Sequence, residues 1–182
     1  TKPQAKPRSD YRAFRPITTR WMDNDVYGHV NNVVYYSWFD TAVNAHLIEQ
    51  GVLDIHQGET IGLVVETQCN YFAPLAFPQT IEAGIRVAHR GTSSVKYEVG
   101  LFAKDAPLTA ARGHFVHVYV DKQTRRPQAL SESFIKGAPH IKLGAIDFDP
   151  SRWTDAVAFL ILILVLLIRP AGLLGKNTPE KV

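Results

Sequence analysis

Residues 23–50 read DNDVYGHVNNVVYYSWFDTAVNAHLIEQ, and this stretch carries both the main fold signal and the densest group of reactive side chains. Its first ten residues contain two carboxylates, a glycine, a histidine and the pair Asn31–Asn32. Either of these asparagines is suited to begin a helix, because a side-chain oxygen there accepts a hydrogen bond from a first-turn amide. The stretch therefore offers a base, a sharp turn and a helix N-terminus together.

The second part of the stretch predicts a long, buried helix. From Val33 to Gln50 the apolar residues recur at helical spacing, and Gly51 supplies the stop. Eighteen residues make about 27 Å of helix. Aromatic side chains fall on more than one face, which favours deep burial. The apolar and aromatic residues that recur in this run are Tyr35, Tyr36, Trp38, Phe39, Val43 and Leu47.

Strand-like runs lie on both sides of this helix. One is predicted before the motif, at 17–21, and four after the helix, at 62–72, 80–90, 93–104 and 108–120. Turn-forming residues separate the later runs. We therefore predict an α+β fold in which one long central helix lies against a five-stranded antiparallel sheet. Its last four strands are expected to form a meander.

Composition and charge narrow the class of protein. The 182 residues suit one domain with appendages, and 46% apolar with 20% charged residues is typical of a globular chain. A single cysteine, Cys69, excludes an internal disulfide framework and fits a reducing compartment. The polar, basic first sixteen residues do not resemble a secretory signal. We expect a cytoplasmic protein.

The net charge of +3 is unevenly distributed. The first twenty residues carry six Lys or Arg against Asp10, whereas the remaining 162 carry fourteen basic and sixteen acidic residues. The body is therefore not predicted to bind nucleic acid. Residues 1–13 are expected to form a flexible basic arm, residues 14–146 the main domain and residues 147–182 a linker and tail.

An unusual apolar run marks this tail. Residues 156–168 read AVAFLILILVLLI and are followed by Arg169-Pro170. Thirteen residues make about 20 Å of helix, less than a bilayer core of about 30 Å. Extending the run to Leu174 reaches nineteen residues but includes the arginine and the proline. An appended apolar helix is predicted, and membrane association through 156–174 is left open.

Several motifs together resemble the hotdog-fold acyl-CoA thioesterases of the 4-hydroxybenzoyl-CoA thioesterase branch. The resemblance covers about residues 14–135. The shared features are the Asp23-x-Asp25-x-x-Gly28-His29-Val30-Asn31-Asn32 turn, the helix opening Val33-Val34-Tyr35-Tyr36, the strand end Tyr71-x-x-Pro74, the hairpin Gly91-Thr92-Ser93-Ser94-Val95 and the last strand followed by Thr124-Arg125-Arg126-Pro127. The resemblance implies hydrolysis of an acyl-CoA to coenzyme A and a carboxylic acid. It also implies a homodimer or homotetramer with shared active sites and no cofactor.

The resemblance also implies roles within the motif. Asp25 would be the general base or the nucleophile, and the backbone amide of Asn32 the oxyanion donor. Gly28 would let the turn tighten, and His29 would orient the turn or take part directly. In the related plant acyl-carrier-protein thioesterases a histidine of this motif acts with an asparagine two positions earlier. Here Tyr27 occupies that position and departs from the pattern.

Other residues are candidates for binding substrate. Tyr27 could line either an aryl or a fatty acyl pocket. Arg90, Lys96, Arg125 and Arg126 are candidate contacts for the phosphates of coenzyme A. Glu66 is an open candidate for a second acid. Cys69 is expected to be an inert, buried thiol, and no metal site is predicted because the histidines are scattered.

The tail has a resemblance of its own. From about residue 152 it looks like the C-terminal end of a branched-chain amino-acid ABC transporter permease, which suggests a segment foreign to the domain. The alternative is a helix private to this protein that packs on a dimer. Two functions besides hydrolysis stay open: a non-catalytic module that binds acyl-CoA or acyl-carrier protein, and a membrane-tethered hotdog protein.

Overall fold

The computed structural model describes residues 2–137. Five strands, one long helix and one short helix follow in chain order: β1 Ala13–Ile17, α1 Asn32–Glu49, β2 Thr60–Tyr71, β3 Ile81–Arg90, β4 Ser94–Ala103, β5 Ala111–Asp121 and α2 Glu132–Gly137. The predicted apolar helix, the transporter-like tail and the domain boundary at 146 lie outside the described residues. None of the helices within residues 2–137 is long and apolar enough to cross a membrane.

The strands form one antiparallel sheet in the order β1-β3-β4-β5-β2. This confirms the predicted five-stranded sheet with one long helix. The predicted four-strand meander is wrong, because β2 pairs with β5 instead of β3. The nine-residue connection from β2 to β3 must cross three strand spacings, about 14 Å. A nine-residue connection can span about 30 Å, so it is long enough for this crossing.

The first strand is also displaced from its predicted position. It covers Ala13–Ile17 instead of 17–21, and residues 21–23 form a 3₁₀ turn. β1 is an edge strand that pairs with β3. An edge strand tolerates Pro16, because the missing N–H is not needed on the unpaired side.

Residues 6–11, which the sequence places in a predicted flexible arm over residues 1–13, contact the rest of the fold. The Lys6 amide donates to Thr109 Oγ1, and the Thr109 amide donates to the Lys6 carbonyl, both at 2.9 Å. Tyr11 is only 4% exposed. Its ring fills a notch over Gly84 and Gly100, where an added Cβ would come within 2.9 and 2.5 Å of Tyr11. These contacts join residues that are far apart in the sequence. The composition of the N-terminal residues alone therefore does not reveal them.

Helix α1 confirms the sequence prediction closely. It covers Asn32–Glu49, and the Asn31 side chain caps it by accepting from the Val33 amide at 3.2 Å. One face packs on the sheet and forms the core. Its buried residues are Tyr35, Trp38, Phe39, Ala42, Val43, His46 and Leu47.

Strand β2 is the other edge of the sheet, and much of it is exposed. Within residues 2–137 it pairs with β5 alone. Leu63, Val64 and Val65 are 39, 48 and 61% exposed. The register shifts between Val64 and Glu66, which marks a bulge. An apolar edge with free backbone groups is suited to pair with another strand.

His117 is a buried histidine without a hydrogen-bond partner at one nitrogen. It lies on β5, is 3% exposed and stacks on Phe115 at 5.9 Å between ring centroids. Its Nε2 has no partner in the described part of the chain. Burial lowers the pKa of His117 below its usual value, and the raising effect of Asp40 is smaller.

We expect this histidine to make the fold sensitive to acid. Because the folded-state pKa is lowered, the unfolded chain takes up the proton first as the pH falls below about 6.5. The free energy of unfolding should therefore decline below that pH. His117→Phe should flatten the decline, measured by urea unfolding at several pH values, whereas the exposed His56→Gln should leave it unchanged. An equal slope in wild type and His117→Phe would contradict this.

Candidate active site

The loop before α1 is anchored on a fully buried carboxylate, Asp23. Its side chain accepts from the Arg20 backbone amide at 2.7 Å and from the Arg20 guanidinium at 2.8 and 3.0 Å. Its carbonyl accepts from the Asn31 amide at 2.8 Å. Asp23 therefore closes the loop between residues 20 and 31.

Asp25 is held by the turn that follows it. Its Oδ1 accepts from the amides of Tyr27 at 2.8 Å and His29 at 3.3 Å. Its backbone amide donates to the His29 carbonyl at 2.7 Å, and Gly28, at φ +80°, donates to the Asp25 carbonyl. Among the described residues no donor bonds to Oδ2. One oxygen thus fixes the half-buried carboxylate, while the other is available to a reactant.

The start of α1 leaves one backbone donor unused. Asn31 accepts from the Val33 amide through its side chain and from the Val34 amide through its carbonyl. The Asn32 amide, by contrast, has no acceptor in residues 2–137. The N-terminus of a helix also carries partial positive charge. This free donor and the Asp25 carboxylate belong to the same short loop.

The predicted motif residues thus lie in one loop, and each contributes a different group to it. Asp25, Gly28 and Asn32 contribute a carboxylate, a left-handed turn and a free amide. His29 contributes its backbone, while its exposed ring makes no hydrogen bond or ion pair within the described residues. Tyr27 is 83% exposed at the tip of the loop. Roles for the His29 and Tyr27 side chains remain predictions.

The loop encloses a shallow depression of about 240 Å³. Trp21, Asn24, Asp25, Val26 and Gly28 line it. Trp21 and Val26 are 83 and 92% exposed, so its apolar wall is open. Pockets for small ligands usually have about 300–1,000 Å³, so a molecule as large as coenzyme A needs further surface.

The predicted phosphate contacts lie at the other end of the sheet. Arg90 and Lys96 flank the β3–β4 hairpin, and Arg125 and Arg126 form the turn after β5. The loop before α1 is instead near the end of β2, where the Tyr71 hydroxyl donates to the Asn32 carbonyl at 3.4 Å. Eleven residues of strand span about 36 Å between the two ends. Within one chain, the structure does not bring these cations to Asp25.

Glu66 and Cys69 are also separate from the loop chemistry. Glu66 Oε1 lies 2.6 Å from His114 Nε2, and Lys96 Nζ lies 3.9 Å from the same oxygen. Because neighbouring Phe115 packs on Phe39 of α1, His114 faces the opposite side of the sheet. Burial raises the pKa of the Cys69 thiol to about 11, which agrees with an inert thiol.

Two features of the site were missed from the sequence. The Arg20 clamp on Asp23 is one, and the contact of Asn24 with residue 77 is the other. The spacing of Arg20 and Asp23 resembles a helix cap and could have suggested the first. The second joins residues 53 apart and leaves no local signal. Within residues 2–137, no three His, Cys, Asp or Glu side chains are grouped so that they could hold a metal ion.

Comparison with known proteins gives an independent result. The model of the thioesterase-like superfamily matches residues 19–137. The structure is similar to that of the PA5185 protein from Pseudomonas aeruginosa strain PAO1, with 54% identity and a TM-score of 0.72, over 74% of this chain and 94% of that one. No curated protein matches the chain.

Two further solved structures extend the likeness. The PA2801 protein of Pseudomonas aeruginosa, a candidate thioesterase, is 28% identical with a TM-score of 0.64, covering 69% of this chain and 97% of its own. A thioesterase from Thermus thermophilus, solved in complex with coenzyme A and zinc, is 24% identical with a TM-score of 0.58, covering 70% and 92%. The latter likeness concerns the fold alone.

Proposed function

Since the chain belongs to the thioesterase-like superfamily, we propose that it hydrolyses acyl-CoA thioesters to coenzyme A and a carboxylic acid. The observation that carries this proposal is the arrangement at the start of α1. There, a carboxylate fixed through one oxygen shares a short loop with a helix amide that has no acceptor among the described residues. Thioester hydrolysis needs these two functions, a base or nucleophile and an oxyanion donor.

The proposed reaction uses groups of this chain and water. The Asn32 amide donates to the thioester oxygen, where negative charge develops. In one route Asp25 Oδ2 takes a proton from the water that attacks the carbonyl carbon; the C–S bond then breaks, and Asp25 passes this proton to the leaving coenzyme A thiolate. In the other route Asp25 Oδ2 attacks the carbon itself, and the C–S bond breaks as the anhydride forms. Water then opens the anhydride and supplies the proton that the thiolate takes up. One oxyanion donor typically lowers the barrier by about 3 kcal/mol. No step requires a metal or organic cofactor.

A second subunit would complete the site. If two β2 edges pair antiparallel, the Thr60 end of one strand lies beside the Tyr71 end of the other. Thr60 pairs with Asp121, next to the Arg125–Arg126 turn, and Tyr71 contacts Asn32. The turn of one copy would then approach the Asp25 loop of the other. A thioesterase of similar fold, from Thermus thermophilus, was solved in complex with coenzyme A. We therefore propose a homodimer, or a homotetramer built from it, with shared sites.

Charge introduced on the β2 edge should separate the subunits. We expect the double variant Leu63→Lys/Val65→Lys to become monomeric, because like charges would face each other across paired edges. Because the proposed site is shared between subunits, the monomeric variant should have at least about tenfold less thioesterase activity. Light scattering after size exclusion measures the mass. Leu108→Lys, a change at another exposed apolar residue, is the control. A monomeric, fully active wild type would contradict the shared site.

Thiol release tests the proposed function directly. The purified chain should release free thiol, detected with DTNB, from at least one of a panel of short, long and aromatic acyl-CoAs. The product acid should appear in equal amount. Binding of acyl-CoA without release across the panel would instead support the non-catalytic binding module.

A further inference from the structure

The loop that carries Asp25 rests on a segment with no role in the proposed chemistry. We call residues 74–79 the bracket segment; they lie in the connection between β2 and β3. The Val30 amide donates to the Leu75 carbonyl at 2.8 Å. The Phe77 ring meets Trp21 edge-on, with centroids 6.0 Å apart. The bracket segment therefore contacts both the beginning and the end of the loop.

Asn24 makes the central contact between the loop and the bracket segment. Its side-chain oxygen accepts from the Phe77 amide at 2.9 Å. Its backbone also forms an antiparallel bridge with Val30, so the turn of residues 25–29 is closed at its base. Asn24 is half-buried and directly precedes Asp25. Asn24 thus joins the bracket segment to the residue that carries the carboxylate.

The choice of an amide at this position has an electrostatic consequence. An aspartate could accept the same hydrogen bond from Phe77, but it would place a second negative charge next to Asp25. Neighbouring carboxylates disfavour each other's ionised form. An alanine would keep the neutrality and lose the bond. Asparagine supplies the acceptor without the charge.

We infer that Asn24 is a positioning residue, which holds the Asp25 carboxylate in place within its loop without adding a further charge beside it. This inference rests on the proposed thioesterase function. Asn24 acts through Asp25 and the bracket segment. It therefore affects turnover more than the binding of substrate.

Two substitutions separate the hydrogen bond of Asn24 to Phe77 from the neutrality of its side chain. Asn24→Ala should lower kcat for acyl-CoA hydrolysis by about tenfold or more, with KM within about twofold, because the carboxylate loses its fixed geometry. Asn24→Asp should restore most of kcat at high pH but move the acid limb of the pH–rate profile upward. A purely structural role would not move that limb. Asn44→Ala, which removes a half-buried amide on α1, is the matched control.

Amide hydrogen exchange gives a reading that does not depend on turnover. Exchange at Phe77 should accelerate in Asn24→Ala and return toward wild type in Asn24→Asp. Faster exchange with kcat within about twofold of wild type would overturn the inference, and so would an unmoved acid limb in Asn24→Asp. Unchanged exchange in Asn24→Ala would overturn it as well. If the wild type releases no thiol, the proposed function fails, and the exchange pattern still decides whether Asn24 holds the loop.

Discussion

Asp25→Asn should reduce kcat for thiol release from acyl-CoA on the order of a thousandfold and leave the fold intact. The loss follows because an amide neither abstracts a proton from water nor attacks a thioester, and general-base catalysis is worth about 10²–10⁴. The fold should persist because the asparagine side chain retains an oxygen. That oxygen can still accept from the amides of Tyr27 and His29.

The chain contains a close structural match that serves as control. Asp54 Oδ1 accepts from two following amides, those of His56 and Gln57, both at 2.9 Å. Asp54→Asn thus makes the same chemical change at another carboxylate that accepts from two following backbone amides, outside the candidate site. It should keep wild-type kcat. Steady-state DTNB assays give kcat and KM, and circular dichroism checks folding. If Asp25→Asn retained more than about a tenth of wild-type kcat, Asp25 would be neither base nor nucleophile.

The site could be predicted from the sequence where its signals are local. Asn31 caps the helix through the Val33 amide two residues on, and Gly28 adopts the positive φ that its turn requires. Asp25 bonds to amides two and four residues away. Such contacts depend on residue type and spacing within a few positions, which the sequence states directly.

The parts that could not be predicted join distant residues. Periodicity identifies β2 as a strand, but the partner of Thr60 is Asp121, chosen by how the sheet assembles. Tyr11 needs two glycines on separate strands to make its notch, and nothing near it in the sequence indicates them. The cations predicted to bind phosphate share only their charge in the sequence. Their separation from Asp25 follows from strand direction, which the alternating pattern does not encode.

A second large effect should follow from adding a single methyl group at Gly113. This glycine lies on β5 opposite Cys69 and beneath Phe39 of α1. In an ordinary strand, alanine is more favourable than glycine by about 0.5–1 kcal/mol. Here an added Cβ would come within 2.3 Å of the Gln68 carbonyl oxygen and 2.3 Å of the Phe39 ring. One obstacle is backbone of the neighbouring strand, so a change of rotamer cannot relieve it.

Gly113→Ala should therefore destabilise the fold by about 3 kcal/mol, at the upper end of overpacked cores. Guanidinium unfolding measures this as a lower midpoint with an unchanged slope. Gly62→Ala on β2 is the matched control, because its Cβ would approach only side chains, at 3.2 Å. Equal stability of Gly113→Ala and wild type would mean that α1 is not seated on the sheet through Phe39 as described. Because α1 also presents the Asn32 amide, any Gly113→Ala protein that stays folded should lose activity as the helix is displaced.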